Sequence, residues 1–132
     1  WTQLVCMYEV TVRDDFIAQH FLTVPNPPAD EADPHSHHFE VELCFRGPEL
    51  NEFDYLVDID DAEAALDTLH ERYSDTLLND RPEFEGYNPS AERFCRVVWN
   101  HVTDQGTDET ITELTVTVWE DSQASATYEA PV

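Results

Sequence analysis

The chain has 132 residues, and its 29 aspartates and glutamates face only six basic side chains, for a formal charge of −23. All six are arginine and lysine is absent, so the clustered cations that neutralise nucleic-acid phosphates or dock on anionic membranes are missing. A hydrophobic fraction of 41%, with three Trp, five Tyr and seven Phe, excludes a disordered acidic tail and at this length fits one folded domain over 1–132.

Residues 4–12 read as a strand rich in β-branched and aromatic side chains. Phe16 to His20 continue it in extended form, with Phe16, Ala18 and His20 on one face. Residues 22–34 hold four prolines and no periodicity, and so read as a loop. The segment 35–46 alternates cleanly, with His37, Phe39, Val41, Leu43 and Phe45 facing one way and Glu40, Glu42 and Arg46 the other; Gly47-Pro48 ends it.

Asp60 followed by Glu63 reads as a capping box, and Ala62, Ala65, Leu66, Leu69, Tyr73 and Leu77 then recur at helical spacing. Asn88-Pro89 reads as an N-cap followed by Pro at the first helical position. The helix it starts, 89–104, buries Ala91, Phe94, Cys95, Val98 and Val102. Residues 111–120 return to period two with Leu114, Val116 and Val118 inward, and a short tail strand follows near Thr127-Tyr128. Strands, two helices, then strands indicate an α+β fold, an antiparallel sheet backed by helices. Its exposed edges point to pairing between subunits.

Excess like charge destabilises a compact chain unless salt screens it, and at about 1 M salt the Debye length is about 3 Å. Acidity without lysine therefore points to the cytoplasm of an extreme halophile. Cys6, Cys44 and Cys95 form no C-x-x-C pair, so they make neither a disulfide framework nor a zinc ribbon and fit a reducing compartment. No stretch approaches the ~20 apolar residues of a membrane span. The chain opens at Trp1 rather than methionine, which leaves a removed leader open.

Histidine carries the chemistry. His35 and His37, at i and i+2 of a strand, point the same way at the mouth of an apolar face, and His20 ends the apolar face of the preceding strand. A single histidine near a strand end is usually just a half-buried polar residue. Three that meet when the strands pair antiparallel make a three-nitrogen ligand set with an open position, the layout of a catalytic zinc site. His38 points to the opposite face, and His70 and His101 read as structural or surface residues. Glu120 falls on the face of Leu114, Val116 and Val118, where an acid must be paired, neutralised, used on a ligand, or simply past the strand end in solvent. The isolated glycines Gly47, Gly86 and Gly106 build neither a phosphate loop nor a dinucleotide fingerprint, and no G-x-S-x-G elbow occurs.

Several motifs resemble, in order, those of the 6-pyruvoyl-tetrahydropterin synthase family, which includes the 6-carboxy-tetrahydropterin synthases of the queuosine and archaeosine pathway. They are F-x-A-x-H at Phe16–His20, H-x-H-x-F at His35–Phe39, Asp58-Ile59, Leu78-Asn79-Asp80, Asn88-Pro89-Ser90 with Glu92, and Val118-Trp119-Glu120. The resemblance covers nearly the whole chain. It implies the tunnelling fold (T-fold): a four-stranded antiparallel sheet with two helices on one side, assembled as a homo-oligomeric barrel of trimers or hexamers. It implies Zn2+ on His20, His35 and His37, a pterin ring anchored by Glu120, and sites lying between subunits.

Two departures stand out. The family's usual catalytic cysteine, four residues before the first histidine of H-x-H, is Glu31 here. Its helix-end Leu-Asp-His motif falls on Tyr73-Ser74-Asp75; a one-residue slip makes Asp75 the aspartate and puts Thr76 at the histidine. The expected function is a zinc-dependent, phosphate-eliminating lyase on a dihydroneopterin triphosphate-like pterin, with Glu31 or Asp75 as acid–base residues. A non-catalytic pterin- or purine-binding member is the alternative, and a purely structural zinc a third reading.

Overall fold

The computed structural model describes residues 6–132; residues 1–5, which hold the start of the predicted first strand, lie outside the described residues. Strand β1 (Tyr8–His20) runs unbroken through Arg13-Asp14-Asp15, and β2 (His35–Gly47) pairs with it antiparallel along all 13 residues. A one-turn helix α1 (Ala29–Ala32) interrupts the predicted loop between them. Helices α2 (Ile59–Tyr73) and α3 (Ala91–Asp104) follow, then β3 (Glu113–Trp119) and β4 (Ser125–Pro131). The sheet order is β1-β2-β3-β4, all antiparallel.

Alternation along each strand decides which face is buried. Val12, Phe16, Ala18 and His20 of β1, the odd positions of β2 from Phe39 to Phe45, and Leu114, Val116 and Val118 of β3 are buried on one face. Against it pack Ala62, Leu66, Leu69 and Tyr73 of α2 and Phe94, Cys95, Val98 and Val102 of α3. Phe16, Phe39, Tyr73, Phe84 and Phe94 meet edge-on or tilted at 5.3–6.4 Å between ring centroids, an aromatic floor beneath the histidine end of the sheet. A Cβ on Gly47 would lie 1.9 Å from the Thr110 carbonyl oxygen, so β2 ends in the one residue that admits this approach.

Both helix starts differ from the sequence reading. Asp58, not Asp60, caps α2, its carboxylate accepting from the Asp60 N–H at 2.9 Å. Ser90, not Asn88, caps α3 by accepting from the Arg93 N–H at 3.1 Å, because the Asn88 side-chain oxygen Oδ1 is already taken by the Thr23 N–H at 2.9 Å. Leu77, placed in the helical stripe by spacing, lies beyond α2: Asp75 adopts φ 58°, in the left-handed region, and ends the helix. The Asp75 N–H then donates to Ile17 at 2.7 Å and the Gln19 N–H to Thr76 at 2.8 Å, closing part of the outer edge of β1. Glu120 sits one residue past β3, and the tail strand is longer than expected.

A polar clasp ties α2 to the segment after it. Arg72 donates to Glu83 through Nε at 2.6 Å and a terminal nitrogen at 2.9 Å, and the Tyr73 hydroxyl donates to Glu83 at 2.7 Å. Burial alone would raise the Glu83 carboxyl; these bonds overcome it and hold it at about 2 against an ordinary 4.5. A depressed carboxyl stabilises the fold above its unfolded value and loses that stabilisation as pH falls through the folded one. Glu83→Gln should therefore cost roughly 1–2 kcal/mol at neutral pH, with the deficit shrinking between pH 4.5 and 2. Thermal melts of both proteins across that range check it; a deficit independent of pH would contradict the assignment.

Candidate functional site

The β1–β2 register places Ala18 opposite His37 and His20 opposite His35, so the three histidines share the buried face at the end of the strand pair. Their candidate ligand nitrogens all lie within 4.8 Å of one another. The rings stand edge-on, His20 to His35 at 4.6 Å and both to His37 at 4.9 Å between centroids. Phe39 closes the set from below, 5.8 Å from His20 and 5.5 Å from His37. His20 is 2% exposed, the buried polar residue among the described residues.

Hydrogen bonds at the far side of the rings fix their chemistry. His20 Nδ1 lies 2.8 Å from the Pro89 carbonyl oxygen and His35 Nδ1 3.0 Å from that of Asp33. A carbonyl only accepts, so each Nδ1 is the donor and Nε2 is left as the nitrogen that can meet a metal. That second contact is the one metal-binding histidines characteristically make. Burial pushes the His20 imidazole below its ordinary value, with His35 and His37 adding to the effect and the Pro89 carbonyl opposing it. Three imidazoles with their ligand nitrogens this close are a donor set that fits a divalent metal of the zinc type.

Two asparagines hold the site's backbone. The Asn79 side chain accepts from the Phe21 N–H at 3.0 Å and donates to the Phe21 carbonyl at 3.1 Å, gripping the chain one residue after His20. Asn88 grips Thr23, and the next residue, Pro89, supplies the carbonyl that His20 meets. Both asparagines stood in motifs the sequence made conspicuous, but their role depends on distant loops meeting β1, which no local pattern signals.

Glu120 extends the inward face of β3 next to Phe39 of β2, diagonal to His37. It is half-buried and borders two hollows: one of about 680 Å³ that His37 also reaches but that Arg13, Asp15, His38 and Glu40 of the sheet's outer face line, and one of about 250 Å³ shared with Asn88 and Ala126. Glu31 lies on α1, half-buried, and its carbonyl accepts from the Leu22 N–H at 2.8 Å, which ties α1 to the residues just after His20. Asp75 is exposed at the outer edge of β1 beside Ile17, three strand residues or about 10 Å along from His20. The structure thus groups the histidines, brings Glu120 and the backbone of Glu31 to the same end, and leaves Asp75 apart.

His38, His70 and Cys95 have other partners. His38 faces the opposite side and hydrogen-bonds Asp15. His70, read from sequence as a structural or surface residue, meets Asp14 at 3.0 Å and the edge of Phe16 at 5.8 Å. Burial pushes the Cys95 thiol up to about 11, and it donates to the Ala126 carbonyl at 3.1 Å; it is a core group, not a nucleophile.

A four-stranded antiparallel sheet with its helices on one face is the T-fold, and here it presents three imidazoles at one sheet end. The family described as 6-pyruvoyl tetrahydropterin synthase matches residues 9–131. The chain belongs to that family. A 6-pyruvoyltetrahydropterin synthase of Plasmodium vivax, solved as an alanine variant at a glutamate named as a catalytic residue, is 14% identical with a TM-score of 0.79 over 96% of this chain and 99% of its own. The Plasmodium falciparum synthase gives the same identity, TM-score and coverage. That of Caenorhabditis elegans is 13% identical, with a TM-score of 0.77 over 98% of this chain and 99% of its own. Identities this low establish a shared fold and no more. No curated protein matches the chain.

The Asn79 clasp is open to direct test. Asn79→Ala removes both bonds to Phe21 and should cost roughly 1–3 kcal/mol. Asn79→Asp, which still accepts but cannot donate, should fall between Asn79→Ala and the parent. Denaturant unfolding reads both, and an unchanged midpoint for Asn79→Ala would show that the clasp contributes nothing.

Proposed function

We propose that this chain is a zinc-dependent lyase acting on a dihydroneopterin triphosphate-like pterin. The observation that carries the reading is the convergence of three imidazoles, two with Nδ1 directed at backbone carbonyls, beside a half-buried carboxylate at Glu120. His20, His35 and His37 would hold the ion. Zinc, when bound, supplies Lewis acidity toward substrate oxygens.

The chain's own groups do the rest. The Glu120 carboxylate accepts paired hydrogen bonds from the pterin amino group and ring N–H, orienting the ring. Glu31 takes the proton from the side-chain carbon next to the phosphate-bearing one. As the C–H electrons form the new double bond, the C–O bond breaks and its pair leaves with the triphosphate. Two facts support Glu31 over Asp75: α1 is tied to the chain just after His20, and Asp75 is exposed at the edge of β1. A fold relative in which a glutamate is named as a catalytic residue is consistent with a carboxylate base.

Assembly fits the same reading. β1 and β4 are the edges of the described sheet, and pairing them between copies would build a trimeric or hexameric barrel with sites between subunits. We place the protein in the cytoplasm of a halophile, in tetrahydropterin or deazapurine (queuosine or archaeosine) biosynthesis; among the described residues no helix is long and apolar enough to cross a membrane. The exposure of Asp75 favours one second reading, a pterin- or purine-binding member without turnover.

The deciding assay incubates the protein with zinc and dihydroneopterin triphosphate at molar salt. Turnover to a pyruvoyl- or carboxy-type pterin is expected, with Glu31→Gln lowering kcat by about 10²–10⁴-fold and Glu120→Gln acting mainly on KM. Chelation should silence the enzyme without unfolding it, since an unfolded apo-protein would mark a structural metal. Ring binding without product would select the non-catalytic reading.

A further inference from the structure

Of the six arginines, Arg81 has neither an ion pair nor a ring contact among the described residues, and the other five divide in two. Arg13 pairs with Glu40 and Glu42, Arg46 with Glu9, Glu113 and Glu129, and Arg72 with Glu83. Arg93 and Arg96 on α3 have no carboxylate within ion-pair distance among the described residues, in a protein with 29 acids. Each guanidinium lies over an aromatic ring instead. Arg93 is 3.8 Å from the centre of Tyr87; Arg96 is 4.6 Å from Tyr128 and 5.5 Å from Trp99. Both line one hollow of about 660 Å³ between α3, the 87–90 segment and β4, with Glu92 at its side.

Stacking on a ring holds a guanidinium by its face and leaves its N–H edge free. That edge is a planar fork matched to two oxygens of a phosphate or carboxylate. Two such forks, one helical turn apart on α3, concentrate positive charge in a cavity of an otherwise anionic surface. We propose that Arg93 and Arg96 form an oxyanion site that takes a phosphate or polyphosphate group. It stands on the arginines and their rings, not on the histidines, and holds or fails separately from the lyase reading. The hollow shares Asn88, Ser90 and Glu92 with the one that Glu120 lines, so the anion would sit along the same trough as the carboxylate assigned to the ring.

The test is calorimetric titration of the full, chelated chain with sodium tripolyphosphate and with inorganic phosphate, at ionic strength held constant with KCl. Saturable binding is expected, tighter for tripolyphosphate. Arg93→Gln and Arg96→Gln should each weaken it about tenfold, with Arg96→Lys in between because it keeps the charge and loses the fork. Glu92→Gln should tighten binding, while Arg13→Gln should leave it unchanged. Absence of saturable binding, or equal affinity in Arg93→Gln, Arg96→Gln and the parent, overturns the proposal. So does a double arginine variant that changes only the sedimentation mass, which would make the patch a contact between copies.

Discussion

The pairing of β1 with β2 is the constraint from which everything at the site follows. Along 13 antiparallel pairs, Phe16 lies against Phe39, Ala18 against His37 and His20 against His35. The strand period is two, so a slip of one residue would turn one strand's entire set to the other face. Such a slip would expose the aromatic rings and scatter the imidazoles together. Burial of Phe16, Phe39, Val41 and Leu43 thus fixes the register for reasons of hydrophobic free energy, and the histidines inherit their convergence from it. Their cost is the burial of His20, a polar ring offset by the Pro89 carbonyl.

What could be read ahead of the structure follows the same logic. The histidines were legible because alternation is a local property: H-x-H and F-x-A-x-H declare their faces without knowledge of the fold. Glu120 was legible as an oddity, and the structure explains it by position, one residue beyond β3 yet still beside Phe39. Helix starts were not legible at the residue level. Asp58 and Asp60, like Asn88 and Ser90, are equally good caps in isolation, and only a distant partner, the Thr23 N–H, removes Asn88 from the competition. The α1 turn escaped because four residues carry no periodicity, and Asp75 because a left-handed φ at a non-glycine residue has a weak sequence signature.

Charge organises the rest of the molecule. Arg46 lies within ion-pair distance of acids on the three other strands, at 2.9–3.5 Å, and Arg13 bridges β1 to β2. Both lie on the face of the sheet away from the helices, where alternation places a row of acids side by side. Exposed pairs of this kind contribute about 0–1 kcal/mol each. They cannot offset a charge of −23; their effect is local, relieving repulsion where carboxylates are closest.

That distinction between local and long-range charge bears on how a polyanion could approach this protein at all. The field of 23 excess negative charges acts over a Debye length, about 10 Å in 0.1 M salt and about 3 Å at 1 M. A phosphate in direct contact with a guanidinium sits inside even the shorter distance, so concentrated salt removes most of the repulsion and less of the contact attraction. Arginines held on aromatic rings suit that regime, because the ring contact positions the fork without recruiting a carboxylate that would cancel it. The acidity then works as a filter: salt opens the approach, and the few unpaired cations determine where an anion can stay.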